Sequence, residues 1–385
     1  MIYLDYAATT PVDPQVVHTM LQLQGAAGDF GNPSAMHSAG WRSRAHVDNA
    51  AQQLAELLGT DAERLIWTSG ATESNNLAII GTARHRQHHG RHLITMLTEH
   101  KAVTDVFRAL QQQGFEVTWL RPERNGVLDI ATLEAAIRAD TQLVSIMHVN
   151  NETGVCQDIA ALGACCHARG VRLHVDAAQS VGKLPLNLAE LPIDLMSMTA
   201  HKLYGPKGIG ALYIAKRPDL HLEPLLFGGG QQQRLRPGTL PVPLIAGFGH
   251  AAAIAAARMA DDLAHLTRLR DRLWAGISDL SGVQLNSDPA LSYPGLLNAS
   301  VADIEGESLL LALEPLCVAT GSACNAQNQE PSYVLRAQGL SDAAAQGAIR
   351  FSLGRPTTTA EVDCAINLYR QAVRTLRALA PDGAA

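Results

Sequence analysis

From about residue 63 to residue 215 the chain alternates short apolar runs with longer amphipathic stretches. The apolar runs 64–68, 92–96, 116–120, 143–148, 171–176, 194–198 and 210–214 are of strand length, and most segments between them are of helix length. Such alternation predicts an α/β unit with a mostly parallel seven-stranded sheet covered on both faces. An alanine-rich helical stretch follows from about 244 to 280. Beyond it, strand candidates at 282–285, 296–301 and 348–353 lie among several helices and predict a smaller α+β domain. Asp13 before Pro14 reads as an N-cap with proline at the first helical position. The expected organisation is a large domain over 14–258 and a small domain made of 1–13 with 259–385.

Composition narrows the function classes. A formal net charge of −6 gives no electrostatic reason to expect nucleic-acid binding. No apolar run reaches membrane-spanning length, and Met1-Ile2-Tyr3-Leu4-Asp5 lacks the basic segment and apolar core of a signal peptide, so the expected location is the cytoplasm. The six cysteines form no C-x-x-C pair, which argues against a disulfide framework. Cys165-Cys166-His167 falls in the helical stretch 159–169, where adjacent cysteines face different ways. His85, His88 and His89 have helical spacing but no interleaved carboxylate, so a solvated helix end is expected. No metal site is predicted.

The candidate chemistry begins with lysine, of which the chain has five: Lys101, Lys183, Lys202, Lys207 and Lys216. Lys202 follows His201 at the end of one apolar run, and Asp176 ends another, with Gln179 three residues on. A lysine and a carboxylate at neighbouring strand ends suit pyridoxal phosphate (PLP): the amine forms a Schiff base and the carboxylate keeps the pyridine nitrogen protonated. His100, His148, Asn150 and Asn151 also fall at strand ends, where open α/β sheets bind ligands. The segment Thr68-Ser69-Gly70-Ala71-Thr72-Glu73 follows a strand and opens a helix. Its free N–H groups at Ala71 and Thr72 and the Thr72 hydroxyl suit a phosphate; an ordinary helix start capped by Ser69 or Thr72 is the alternative. His100 is placed to stack on a pyridine ring and move protons. Gly321-Ser322-Ala323-Cys324 opens a polar segment reaching Glu330, the setting of a reactive thiol rather than a core cysteine. With so little apolar bulk, that loop is expected to open readily. Arg350, inside an apolar strand, must meet an anion: a substrate carboxylate or a buried salt-bridge partner.

In chain order, Asp5-Tyr6-Ala7-Ala8-Thr9-Thr10-Pro11, Phe30-Gly31-Asn32-Pro33-Ser34, Thr68-Ser69-Gly70-Ala71-Thr72-Glu73, Thr98-Glu99-His100, Val149-Asn150-Asn151-Glu152-Thr153-Gly154, Asp176-Ala177-Ala178-Gln179-Ser180, His201-Lys202-Leu203-Tyr204-Gly205-Pro206-Lys207-Gly208 and Gly321-Ser322-Ala323-Cys324 resemble NifS/IscS-type cysteine desulfurases over nearly the whole chain. The resemblance implies a PLP-dependent transferase of fold type I, acting as a homodimer with active sites near the subunit interface. It implies that Lys202 carries the cofactor, Asp176 faces its pyridine nitrogen, Gln179 bonds its ring hydroxyl and His100 stacks on the ring. On the same resemblance Ala71, Thr72, Thr199 and His201 are expected to bind phosphate, with Thr239 reaching over from the other subunit. Asn151 is expected to help hold cofactor and substrate, and Arg350 the carboxylate of L-cysteine. Cys324 would take the substrate sulfur as a persulfide, L-alanine would leave, and a sulfur-acceptor protein would receive the sulfur.

Three departures accompany the resemblance: Pro237 in Arg236-Pro237-Gly238-Thr239, Thr199-Ala200 in place of a commoner Ser-Gly, and an end at Ala385 soon after the last helix. Housekeeping members carry a longer tail that meets the iron–sulfur scaffold protein. The pathway therefore stays open between iron–sulfur cluster assembly, tRNA thiolation and DNA phosphorothioation. A class-V aminotransferase or selenocysteine lyase is the rival enzyme; it shares Lys202 and Asp176 but has no need of Cys324.

Overall fold

The computed structural model describes residues 1–320 and 330–379. After β1 (Ile2–Tyr3), one sheet is built from β2 (Leu65–Thr68), β3 (His92–Met96), β4 (Glu116–Leu120), β5 (Thr141–Met147), β6 (Arg172–Asp176), β7 (Leu195–Thr199) and β8 (Gly210–Ile214). Their order across the sheet is β2-β8-β7-β6-β5-β3-β4. The pairs β7–β6, β6–β5, β5–β3 and β3–β4 are parallel, whereas β8 runs antiparallel to β2 and β7. Strands β3, β5, β6 and β7 are buried along their full length and rich in apolar residues, and polar residues within them pair across strands, as His174 does with Ser145 and Ser197. The edge strand β4 instead begins with the exposed Glu116.

The C-terminal part adds β9 (Val283–Leu285), β10 (Leu296–Val301), β11 (Leu316–Cys317), β12 (Ala319–Thr320) and β13 (Ala348–Ser352). A four-stranded antiparallel sheet has the order β12-β13-β10-β9, and β11 pairs in parallel with β1. Each strand expected above is present, four with the expected ends and the rest with ends moved by at most two residues, because backbone pairing rather than side-chain polarity ends a strand.

The helices are α1 (Pro14–Leu21), α2 (Ser38–Leu58), α3 (Ala71–Arg86), α4 (Lys101–Gln112), α5 (Ile130–Ala136), α6 (Ile159–Ala168), α7 (Val242–Ile277), α8 (Gly306–Ala312), α9 (Tyr333–Ala337), α10 (Asp342–Gln346) and α11 (Thr359–Leu379). Asp13 caps α1 through the Gln15 N–H at 2.9 Å, with Pro14 at the first position, as expected. Helix α4 buries Val103, Val106, Phe107 and Leu110, one apolar stripe at helical spacing. It packs with α3 against one face of the large sheet, in a core that includes Ile66, Leu93 and Leu212. Side chains of α2, α5, α6 and α7 meet the other face around Val144, Leu173 and Met196. A third core joins the end of α7 to β10, β13 and α11 around Leu273, Leu297, Phe351 and Tyr369.

Helix α7 is long and apolar enough to cross a membrane by length and composition alone. In the fold it is a core helix: Val242 to Ala255 enter the core under the large sheet, and Leu266 to Ile277 enter the C-terminal core. Helices α2 and α7 touch closely at Gly249, where a Cβ would stand 2.4 Å from Ala50 Cα. A side chain at Gly249 would gain about 0.5–1 kcal/mol of helix propensity. Overpacking against a neighbouring backbone costs about 1–3 kcal/mol, so the clash wins. Gly249→Val is expected to lower the urea midpoint by the equivalent of about 1–2 kcal/mol. An unchanged or higher midpoint would mean that the two helices yield freely there.

Candidate active site

A cavity of about 510 Å³ opens where β2, β5, β6 and β7 end and the antiparallel β8 begins. Its position obeys the rule that open α/β sheets place ligands beyond the carboxyl ends of their strands. Ala71, Thr72, His100, Asn151, Asp176, Gln179, Thr199, His201 and Lys202 all line it. Residues far apart in sequence touch there: Asn75 meets Asp176 across 101 positions and Thr9 meets His201 across 192.

Asp176 is the last residue of β6 and is buried. Asn75 Nδ2 donates to its Oδ2 at 2.7 Å, and the Ala178 N–H donates to its Oδ1 at 3.0 Å. Both oxygens are thus fixed by neutral donors. His100 caps α4: the Ala102 N–H donates to its Nδ1 at 3.0 Å. An accepting Nδ1 leaves Nε2 as the ring's N–H. Burial, helped by the Lys202 charge, lowers the His100 pKa, while Asp176 pulls the other way.

Lys202 ends the short 3-10 turn Ala200–Lys202 that follows β7, with Thr199 and His201 beside it. His201 Nδ1 lies 3.1 Å from Thr9 Oγ1, and its carbonyl accepts from the Thr10 N–H and hydroxyl. Burial, then Lys202, Lys207 and Lys183, push the His201 pKa down to about 4, so the ring is neutral near pH 7. Across the cavity, α3 starts at Ala71 with Gly70 as its N-cap and without a side-chain cap. The alternative of a Ser69 or Thr72 cap is thereby corrected: Glu73 reaches back instead to accept from the Ser69 N–H at 2.7 Å. The first helical N–H groups remain available to an anion. A donor-rich end for phosphate, a carboxylate on β6 and a lysine beyond β7 fit a phosphorylated pyridine. The buried, unpartnered Asn151 Oδ1 marks a further polar atom awaiting a partner at the same wall.

Arg350 lies on β13, buried, and does not line this cavity. Its Nη2 pairs with Asp5 Oδ1 at 2.7 Å, its Nη1 donates to the Asn151 carbonyl at 2.8 Å, and its Nε has no partner. The salt-bridge alternative raised above is therefore realised in part, with one donor left over. Thr239 is exposed and also stands away from the cavity of its own chain. Cys324 lies outside the described residues, as does most of the loop that carries it. The end of that segment is described: Ser332 donates to the buried Glu152 carboxylate, and the Tyr333 hydroxyl donates to the Glu99 carbonyl at 2.7 Å. His85, His88 and His89 are exposed at the end of α3, and Cys166 is buried in the core beside α5.

Asn75, Asp5, Glu73 and Glu152 had no role assigned from sequence, although all lie in or beside quoted motifs. A buried asparagine on a helix has no sequence signal of its own. Its use becomes visible only when α3 is seen to lie over the end of β6.

Comparison with known proteins follows from this geometry. The family model for aminotransferase class-V matches residues 2–364. The cysteine desulfurase IscS of Klebsiella pneumoniae (strain 342) is 54% identical over 381 residues, covering 99% of this chain and 94% of that protein. Among solved structures, a NifS-like protein superposes with a TM-score of 0.90 at 34% identity, over 97% of this chain and 99% of that one. SspA in complex with cysteine superposes with a TM-score of 0.83 at 36% identity, over 93% of this chain and 100% of that one.

The Glu152 carboxyl offers a test of the wall that supports the site. Burial pushes its pKa from 4.5 up to about 7, against the pull of the Ser332 hydroxyl and the Arg350 charge. The folded state thus holds this proton more tightly than the unfolded chain does. Its stabilising contribution is complete below pH 4.5 and fades as pH rises through about 7. The loss across that window is on the order of 3 kcal/mol. Glu152→Gln keeps an acceptor for Ser332 but cannot ionise, so its urea midpoint should fall less than the parent's between these pH values. Equal slopes for the two proteins would show that Glu152 does not titrate there.

Proposed function

This chain belongs to the aminotransferase class-V family and is a PLP-dependent cysteine desulfurase, and on that premise we propose the residue roles, the assembly and the setting of its reaction. The observation that carries the roles is one cavity lined by Lys202, Asp176 and the open N-terminus of α3. Bound PLP supplies an electron sink for bond cleavage at the substrate's carbons.

Lys202 anchors the cofactor through its amine. Asp176, its oxygens fixed by Asn75 and the Ala178 N–H, keeps a proton on the pyridine nitrogen. Gln179 Nε2 gives one N–H to the Ala7 carbonyl at 2.8 Å and has a second for the ring hydroxyl. The Ala71 and Thr72 N–H groups, the hydroxyls of Thr72 and Thr199, and neutral His201 hold the phosphate. His100 lies against the ring and carries its mobile proton on Nε2. Asn151 braces cofactor and substrate with its unpartnered Oδ1 region. Arg350 takes the carboxylate of L-cysteine with its unused Nε beside the Nη2 now held by Asp5. The Cys324 thiolate attacks the substrate sulfur; the carbon–sulfur bond breaks, a persulfide forms on Cys324 and L-alanine leaves. A sulfur-acceptor protein then takes the outer sulfur atom.

The division into a large domain at 14–258 and a small one at 1–13 with 259–385 is supported by the C-terminal core being separate from the two cores on the large sheet. A homodimer is supported by exposed Phe30, Met36, Trp41, Leu226 and Phe227, the second of these 92% exposed. Segments 33–34 and 230–233 border one groove next to these side chains, which suits a second copy of the chain. Thr239 would then complete the neighbouring phosphate site. Free thiols at Cys156, Cys165, Cys166, Cys317 and Cys364 are in keeping with a cytoplasmic setting.

Cys324→Ala should retain the visible absorbance of bound PLP and still bind L-cysteine, yet form no persulfide, which mass spectrometry of the substrate-treated protein would show. Normal alanine production by that variant would sink the role given to Cys324. Arg350→Lys should keep full PLP content while weakening L-cysteine at least 10-fold, because lysine cannot supply a planar fork. Loss of PLP with unchanged cysteine affinity would make Arg350 a structural ion-pair residue only. An acceptor screen by persulfide transfer separates iron–sulfur assembly, tRNA thiolation and DNA phosphorothioation.

A further inference from the structure

Besides Lys202 and Lys207, which line the cavity, a further amine, Lys183, stands behind it. The turn that continues from Gln179 puts it four residues on, and its Nζ donates to Gln179 Oε1 at 2.9 Å. The same Nζ lies 5.5 Å from the centroid of the Tyr293 ring. It lines a chamber of about 30 Å³ that also holds Tyr6, Tyr204, Asp262 and Arg355. The carboxylate in that chamber is already taken, because Arg355 pairs with Asp262 at 2.8 Å. The effect of the Lys183 amine therefore falls on one amide.

That amide is held by two partners with fixed roles. A lysine amine donates, so Gln179 must turn its oxygen toward Lys183. The Ala7 carbonyl can only accept, and it takes one N–H of Gln179 at 2.8 Å. The second N–H belongs to a side chain that lines the large cavity. An ammonium behind the carbonyl end polarises the amide and makes that N–H a stronger donor. We propose that Lys183 is a positioning residue that acts through Gln179 to hold a polarised N–H donor against the ring oxygen of bound PLP. The inference rests on the reading of this cavity as the PLP site with Gln179 at the ring hydroxyl.

Burial, then the charges of Lys202 and Arg350, push the Lys183 pKa down to about 7, so its charge is sensitive to its surroundings. The cavity side presents Glu73, His100, Asp176, His201, Lys202 and Lys207. The rear presents Tyr293 and the Asp262–Arg355 pair. A positive charge relayed to the ring oxygen favours its anionic form and lowers the pH at which the bound chromophore loses a proton.

The test is a pH titration of the visible absorbance of PLP-loaded protein, without substrate. Lys183→Met should raise the midpoint by about 0.5–1 pH unit, while Lys183→Arg, charged throughout, should leave it at or below the parent's value. A loss of packing alone would lower cofactor content or the melting temperature without moving the midpoint. An unmoved midpoint in loaded Lys183→Met overturns the inference, and so does an equal rise in Lys183→Arg. Should Lys183→Met fail to fold, Lys183→Gln removes the charge with less apolar change and must show the same rise; an unmoved midpoint there overturns the inference equally. A parent protein with no visible band would overturn the cofactor reading as well, whereas a band with an unmoved midpoint overturns only the role of Lys183.

Discussion

A carboxylate buried at the end of β6 is the constraint around which the rest is arranged. Burying an unpaired charge is costly unless hydrogen bonds replace the lost water. For Asp176 the donors are Asn75 on α3 and the backbone at Ala178. Meeting that demand pins α3 over the end of the strand. The same placement aims the uncapped start of α3 at the cavity. One electrostatic requirement thus orients both the carboxylate and the anion-holding helix end opposite it.

Histidine charge is suppressed around that centre. Burial pushes His148, His174 and His201 down to about 4, and His100 also lies below its ordinary value. His174 sits between Ser145 and Ser197 on neighbouring strands, at 2.8 and 2.9 Å, and stays neutral between two hydroxyls. Imidazole titration near neutral pH therefore changes the charge of the site little, whereas Lys183, pushed down to about 7 by burial, does titrate there.

Much of this architecture was legible in the sequence. Buried strands of a parallel sheet are mostly apolar, and the cluster of polar residues just past their ends stands out against that background. Lys202, Asp176, His100 and the Thr68 to Thr72 turn were visible for that reason. What could not be read were pairings set by tertiary approach. Arg350 meets Asp5 across 345 positions, and neither residue's neighbours announce the other. Ser332 meets Glu152 across 180 positions. A short strand at the extreme N-terminus was expected, but its two-residue partner β11 carries too few side chains for any periodicity. The helix start could be read as open N–H groups at Ala71 and Thr72, with a Ser69 or Thr72 cap as the alternative because serine and threonine beside a helix usually cap it; the open start is the one present. Here Glu73 supplies the contact instead.

Helix α7 has a consequence for how this chain can change in length. Its 36 residues span about 54 Å and serve two cores with one continuous backbone. Each added residue turns everything downstream by about 100° and advances it by about 1.5 Å. An insertion between Ala255 and Leu266 would keep the helix intact while rotating Leu266, Leu269 and Leu273 out of the C-terminal core. The helix acts as a phase reference: its first half sets the angle at which its second half presents apolar side chains. Loops elsewhere in the fold can absorb additions, but this stretch can accept them only in numbers close to whole helical turns.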